Sequence, residues 1–179
     1  INMYGLDKPQ QHSYTSFYSV DLIKDSIDAL HLYQNDMVIY AVGAGIQSNL
    51  IEAVDIIYML NVMAPIKICK VLQSCNYKGI FITFGSYFEL GETNLRLPAT
   101  ELDVINTMSS APTDYVLSKR MLTRFVSSYK HDFRHWHFIL PTIYGPGENS
   151  QRLIPYTINA IIQKRLLHFT NGEQVRQYL

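Results

Sequence analysis

The chain has 179 residues, 47% hydrophobic and 17% charged, which excludes a disordered or low-complexity chain. Lys plus Arg and Asp plus Glu each number 15, so there is no basic excess of the kind that marks a nucleic-acid binder. Two cysteines, Cys69 and Cys75, are too few for a disulfide scaffold, and no apolar run approaches the roughly 18 residues of a membrane span.

Residues 2–6 read as a short strand, followed by a polar loop and a second strand at 16–20. Leu22, Ile23, Ile27, Leu30 and Tyr33 have helical spacing, predicting a helix over 22–33. The run 37–42 is β-branched and aromatic, the mark of a strand buried on both faces, and Gly43-Ala44-Gly45 stops it. Residues 50–72 are helical in pattern, in two pieces with Pro65 in the first turn of the second. Met59, Leu60 and Met63 fall on its core side. A strand is expected at 80–84, a loop-rich stretch at 85–110, a helix at 115–129, a strand at 135–140 ended by Pro141, and a helix at 153–162.

Strands alternating with helices predict an α/β fold with a parallel sheet. Ligands of such sheets sit beyond the carboxyl ends of the strands. The residues at those ends are Asp7, Gly43 to Gly45, Thr83 to Ser86, and Pro141-Thr142. The chain opens at Ile1 with no signal-peptide pattern, and both ends read as cuts. The expected setting is reducing and cytoplasmic, with no nucleic-acid or membrane partner.

Two Tyr-x-x-x-Lys spacings occur, Tyr4 to Lys8 and Tyr115 to Lys119. The first starts in a strand and runs into a turn, so it cannot share a helix face. The second lies on a predicted helix, where residues four apart are neighbours. An ammonium there favours the phenolate, which lets a Tyr act as general acid or base near neutral pH.

The stretches Ser110-Ala111-Pro112-Thr113-Asp114-Tyr115-Val116-Leu117-Ser118-Lys119 and Ile143-Tyr144-Gly145-Pro146-Gly147 resemble the extended short-chain dehydrogenases/reductases. Within them the chain is similar to the NAD-dependent epimerase/dehydratase family that acts on nucleotide sugars. Tyr4-Gly5-Leu6-Asp7, Val20-Asp21-Leu22, Leu153-Ile154-Pro155 and Gly172-Glu173-Gln174-Val175-Arg176 add to the likeness in the same chain order. The resemblance implies a Rossmann-type doubly wound sheet, with a partial dinucleotide-binding domain over 1–145 and the start of a substrate-binding part over 146–179. It implies that Asp7 holds the adenosine ribose, Asp21 and Leu22 the adenine, and Ala41, Val42 and Gly43 the dinucleotide. Pro141 and Ile143 would flank the nicotinamide. Tyr115 and Lys119 would be the acid/base pair, both also touching the cofactor, while Thr142, Arg152 and Arg176 would face the substrate. The implied cofactor is NAD, with NADP left open, and the implied assembly is a homodimer through the 50–72 and 115–129 helices. The implied reaction is oxidoreduction at C4 of a nucleotide-linked sugar, of epimerase or 4-ketoreductase type.

Three departures from the family pattern follow. The Gly-rich phosphate loop is absent, so the first strand and its pyrophosphate cradle are expected to lie before Ile1. Phe84 stands where the family places its Ser or Thr, which makes Ser86 the first and Thr83 the second choice for the catalytic hydroxyl. Gly85 and Ser86 replace the Asp-Glu pair of 4,6-dehydratases, which disfavours dehydration. The Phe84 substitution also motivates an alternative, a family member that binds dinucleotide or a protein partner without turnover. A second rival is a related enzyme acting on a small aldehyde or ketone.

No metal site is expected. His135 and His137 share a strand face but read as residues near the surface, with Cys69 and Cys75 on a distant helix. Glu89, Glu92 and Glu101 have no partner spacing, His168 reads as a loop or strand residue, and Lys119, Arg120 and Arg124 read as a mostly solvated face.

Overall fold

The computed structural model describes residues 1–8, 13–46, 51–91, 98–169, 171, 172, 178 and 179. Five strands are formed: β1 Asn2–Gly5, β2 Ser16–Ser19, β3 Met37–Ile39, β4 Ile80–Ser86 and β5 Arg134–Leu140. The helices are α1 Val54–Tyr58, α2 Ala64–Ser74, α3 Glu101–Asn106, α4 Asp114–Ser128 and α5 Leu153–Ile162. β1 and β2 pair in parallel, Tyr4 opposite Tyr18. The other sheet has the order β3-β4-β5, with β3 and β4 parallel and Val38 opposite Phe81. No ladder joins the two sheets among the described residues.

Between α1 and α2 the helix continues through a π turn, Met59–Met63. Pro65 supplies the cause: it has no N–H to give back to the preceding turn, and its ring would crowd the carbonyl four residues earlier. Widening the turn relieves that clash and puts Asn61 at the middle of the widened segment. Below it Ile68, Cys69 and Leu72 of α2 pack with Val38 and Phe81 into the main apolar core.

Several expectations are corrected. Residues 22–33 form no α-helix but two 3-10 turns, Ile27–Leu30 and Leu32–Gln34, broken at His31, whose φ is 48°. Asp21 and Asp25 start that stretch with side-chain to backbone bonds that compete with a helix. Strand β3 stops at Ile39, and its Met37 and Ile39 are exposed while Val38 is buried, so it is covered on one face only. The stretch 85–110 contains a 3-10 turn, Tyr87–Leu90, and α3, each opened by a capping box. Met63 is exposed rather than core.

The chain divides into two compact units, Ile1–Ile139 and Leu140–Leu179. In the second, Thr142 bridges to Tyr178, Arg152 pairs with Glu148 at 2.9 Å, and α5 follows.

Candidate active site

Helix α4 starts where the Thr113 hydroxyl accepts the Val116 N–H at 3.3 Å. Tyr115 falls in its first turn and Lys119 one turn on. The Lys119 Nζ lies 5.9 Å from the centre of the Tyr115 ring and donates to the Phe84 carbonyl of β4 at 2.9 Å. The expected shared face is therefore present, whereas Tyr4 sits in strand β1 and has no helical partner in Lys8. Lys119 is 8% exposed, which corrects the solvated reading; only Arg124 of that trio is exposed. Burial pulls the ammonium's pKa below its ordinary value, and the nearby Glu89 carboxylate opposes that pull.

The backbone beyond β3 comes up against this lysine. A Cβ on Gly43 would stand 3.9 Å from the Lys119 Nζ and 3.4 Å from Asn61 Oδ1. Asn61 clamps the next peptide from both sides. Its Oδ1 accepts the Ala44 N–H at 2.9 Å, and its amide donates to the Ala44 carbonyl and to the Ser118 hydroxyl, each at 2.9 Å. Ser118 in turn donates to the Tyr115 carbonyl at 2.8 Å. Asn61 is 1% exposed and thus ties the β3 tip to the first turn of α4. Sequence reading missed it; the signal was one amide inside the apolar run Met59 to Met63, just before Pro65.

Glu89, to which no role was assigned, is fully buried. Its carboxylate accepts the Ser86 N–H at 2.7 Å, while Ser86 Oγ accepts the Phe88 N–H at 3.3 Å. Burial raises the Glu89 pKa above the ordinary range, against the pull of the Thr123 hydroxyl, the Ser86 N–H and the Lys119 and Arg120 charges. Gly85 is required here: a Cβ would lie 2.5 Å from Ile139 Cδ1, 2.6 Å from Glu89 Oε1 and 2.7 Å from His137 Nε2.

Of the two hydroxyl candidates, only Ser86 remains at the strand end. Thr83 is corrected to an interior role. It is fully buried, and its hydroxyl lies 2.9 Å from His135 Nε2 and 2.8 Å from His137 Nδ1. The two histidines are likewise not surface residues: burial drives His135 down to about 3 and His137 to about 4. Cys69 is not distant from them either; its sulfur lies 3.3 Å from His131 Nδ1.

Among the other expected contacts, Ala41, Val42 and Gly43 are exposed beyond β3, and Asp7 is exposed beyond β1. Asp21 is occupied by its own turn, accepting the Ile23 N–H at 2.9 Å and pairing with Lys24 at 2.9 Å. Leu22 packs against the main core. In the second unit Ile143 is exposed, Pro141 half-buried and Thr142 buried. Arg176 and Glu92 lie outside the described residues.

The Tyr115–Lys119 pair lies beside the carboxyl end of β4, the side on which open parallel α/β folds bind their ligands. The sequence model of the NAD dependent epimerase/dehydratase family matches residues 2–179, and the chain belongs to that family. Among solved structures it is similar to the UDP-N-acetylglucosamine 4-epimerase of Methanobrevibacter ruminantium M1, with 18% identity and a TM-score of 0.74 over 92% of this chain and 53% of that one. It is also similar to the UDP-glucuronic acid 4-epimerase of Bacillus cereus in complex with UDP-glucuronic acid and NAD, at 16% identity and a TM-score of 0.69 over 91% and 51%. The dTDP-glucose 4,6-dehydratase of Streptomyces venezuelae, with NAD bound, matches at 16% and 0.68 over 92% and 50%. At these identities the likeness speaks for the fold, and the chain spans about half the length of each. No curated protein sequence matches it.

NAD, the family's cofactor, finds a suitable donor set at one end of this site. The buried Lys119 ammonium has three protons and gives one to Phe84 among the described residues, beside the open backbone at 41–43. That set suits the hydroxyls of the nicotinamide ribose.

Proposed function

We propose that this chain is part of an NAD-dependent enzyme that oxidises or reduces C4 of a nucleotide-linked sugar. Tyr115 takes or gives the proton of the sugar hydroxyl, and Lys119 favours its phenolate and holds the ribose hydroxyls. Ser86 orients the sugar oxygen: its Oγ already accepts from Phe88, so its own proton points onward as a donor. NAD, when bound, accepts or returns the hydride. Ala41, Val42 and Gly43 would pass along the dinucleotide, Asp7 would bind its adenosine ribose, and Pro141 and Ile143 would border its nicotinamide. Thr142, Arg152 and Arg176 would meet the substrate. Exposed Val54, Met63, Leu117 and Met121 on α1, the π turn and α4 suit a homodimer through those helices.

The observation that carries this reading is the Tyr115–Lys119 pair on one face of α4, with the ammonium buried and anchored at Phe84. Dehydration is disfavoured, because Glu89, the carboxylate nearest in sequence, is committed to Ser86 and Thr123. Turnover on a panel of nucleotide sugars tests the reading. Tyr115→Phe should lose about 10²–10⁴-fold in rate while NAD affinity changes little. Unchanged turnover ends the mechanism. One observation favours the non-catalytic alternative: Phe84 stands at the family's hydroxyl position, its ring 6.3 Å from that of Phe138. Tight NAD binding without turnover on any sugar would select it.

A further inference from the structure

Within the first compact unit, three metal-ligating side chains from three elements converge. Cys69 comes from α2, His131 from the turn after α4, and His135 from β5. One ligand atom from each lies within 4.8 Å of the other two. The imidazole rings of His131 and His135 are 4.6 Å apart at 68°. Cys69 is fully buried, while His131 and His135 are partly so.

Protons can be placed along the chain of polar groups that leads here. With Glu89 ionised, it starts at a carboxylate that only accepts. Thr123 therefore donates to Glu89 and accepts from His137 Nε2–H at 2.9 Å. His137 Nδ1 is then a lone pair and accepts from the Thr83 hydroxyl at 2.8 Å. Thr83 Oγ1 accepts in turn from His135 Nε2–H at 2.9 Å. In that arrangement the lone pair of His135 lies on Nδ1. That atom, like His131 Nε2, is buried without a hydrogen-bond partner among the described residues. An orphaned buried acceptor costs about 1–3 kcal/mol, so two of them beside a thiol ask for a ligand.

We propose that Cys69, His131 and His135 form a binding site for a zinc-class divalent metal ion, with Thr83 as the partner that orients His135. A thiolate with two imidazoles suits zinc or cobalt, and three protein ligands leave a fourth position for water. A hydrogen bond from the far ring nitrogen of a ligating His to a fixed acceptor is the usual support for such a site, and Thr83 supplies it. Tetrahedral bonds of about 2.0–2.3 Å set ligand atoms roughly 3.3–3.7 Å apart. One ligand atom from each residue lies within 4.8 Å of the other two, so the widest pair must close by about 1 Å. A thiol binds the ion as thiolate, so loading releases its proton to solvent and affinity rises with pH.

The site is independent of the proposed activity and is tested on the native chain with cobalt and zinc salts. Stripped protein should take up one equivalent of Co²⁺ with a thiolate-to-cobalt charge-transfer band, and Zn²⁺ should displace it and raise the melting temperature. Cys69→Ala should abolish the band, Thr83→Val should weaken binding about 10–100-fold, and Cys75→Ser should change nothing. Because Cys69 is in the core, His131→Ala is the second variant and should weaken binding at least about tenfold. Absence of the band in the native protein at saturating Co²⁺ overturns the proposal. So does a band that survives in Cys69→Ala or is lost in Cys75→Ser, or Co²⁺ affinity unchanged in His131→Ala.

Discussion

The stripe of α4 that faces the sheet holds Tyr115, Lys119 and Thr123, and it serves two polar regions of opposite character. At the upper turn Lys119 is buried but gives only one proton to Phe84 among the described residues, and exposed backbone at 41–43 lies beside it. One turn further down, Thr123 joins a hydrogen-bonded chain that runs through Glu89, His137, Thr83 and His135. The same helix thus presents unspent donors at the strand tip and spent ones in the interior. A buried polar group with protons to spare suits a ligand, while a hydrogen-bonded chain of side chains fixes geometry.

Asn61 is the sharpest place to separate these regions, since it belongs wholly to the first. Asn61→Ala leaves the Ala44 N–H and carbonyl unpaired in a buried setting. The expected loss is about 2–4 kcal/mol in urea unfolding. A loss below about 1 kcal/mol would mean the β3 tip is held by something else. Gly85→Ala strikes the second region instead, forcing a methyl group against Ile139, Glu89 and His137. It should cost about 1–3 kcal/mol by the same measurement, and no change would show the network to be loose.

The smallest effect is read from pH. His135 and His137 have folded pKa values of about 3 and about 4, below the unfolded value near 6.5. The unfolded chain therefore binds protons that the folded chain declines. Stability is full above about pH 6.5 and is lost as the pH falls toward 4. Glu89, whose folded pKa is raised, works in the opposite direction and offsets part of the loss. Melting temperatures across this window should fall steadily; a flat profile would contradict the buried, neutral histidines.

Much of the site's upper turn was legible because its signals are local. Tyr115 and Lys119 are four residues apart on a helix that spacing alone locates, and α5 forms over the expected span. The Ser86-x-x-Glu89 capping box was legible too, but reading Ser86 only as a candidate catalyst and giving Glu89 no role hid it. The interior region was not legible. Cys69 and His131 are 62 residues apart, and Thr83 and His137 are 54 apart. Only the packing of α2, α4 and β5 around β4 brings them together. The 22–33 error has a local cause: the apolar spacing is helical, yet Asp21 and Asp25 offer the backbone other partners and His31 turns left-handed.

The pH dependence of turnover in Lys119→Met, measured against the unaltered protein with NAD and the preferred sugar, tests the central claim most directly. If the ammonium sustains the phenolate of Tyr115, the rising, acidic limb of kcat/KM moves to higher pH and the rate near neutrality falls by about tenfold or more. A profile that keeps its limb while only the Km for NAD rises would mean Lys119 merely binds cofactor, and the Tyr115 mechanism would be contradicted.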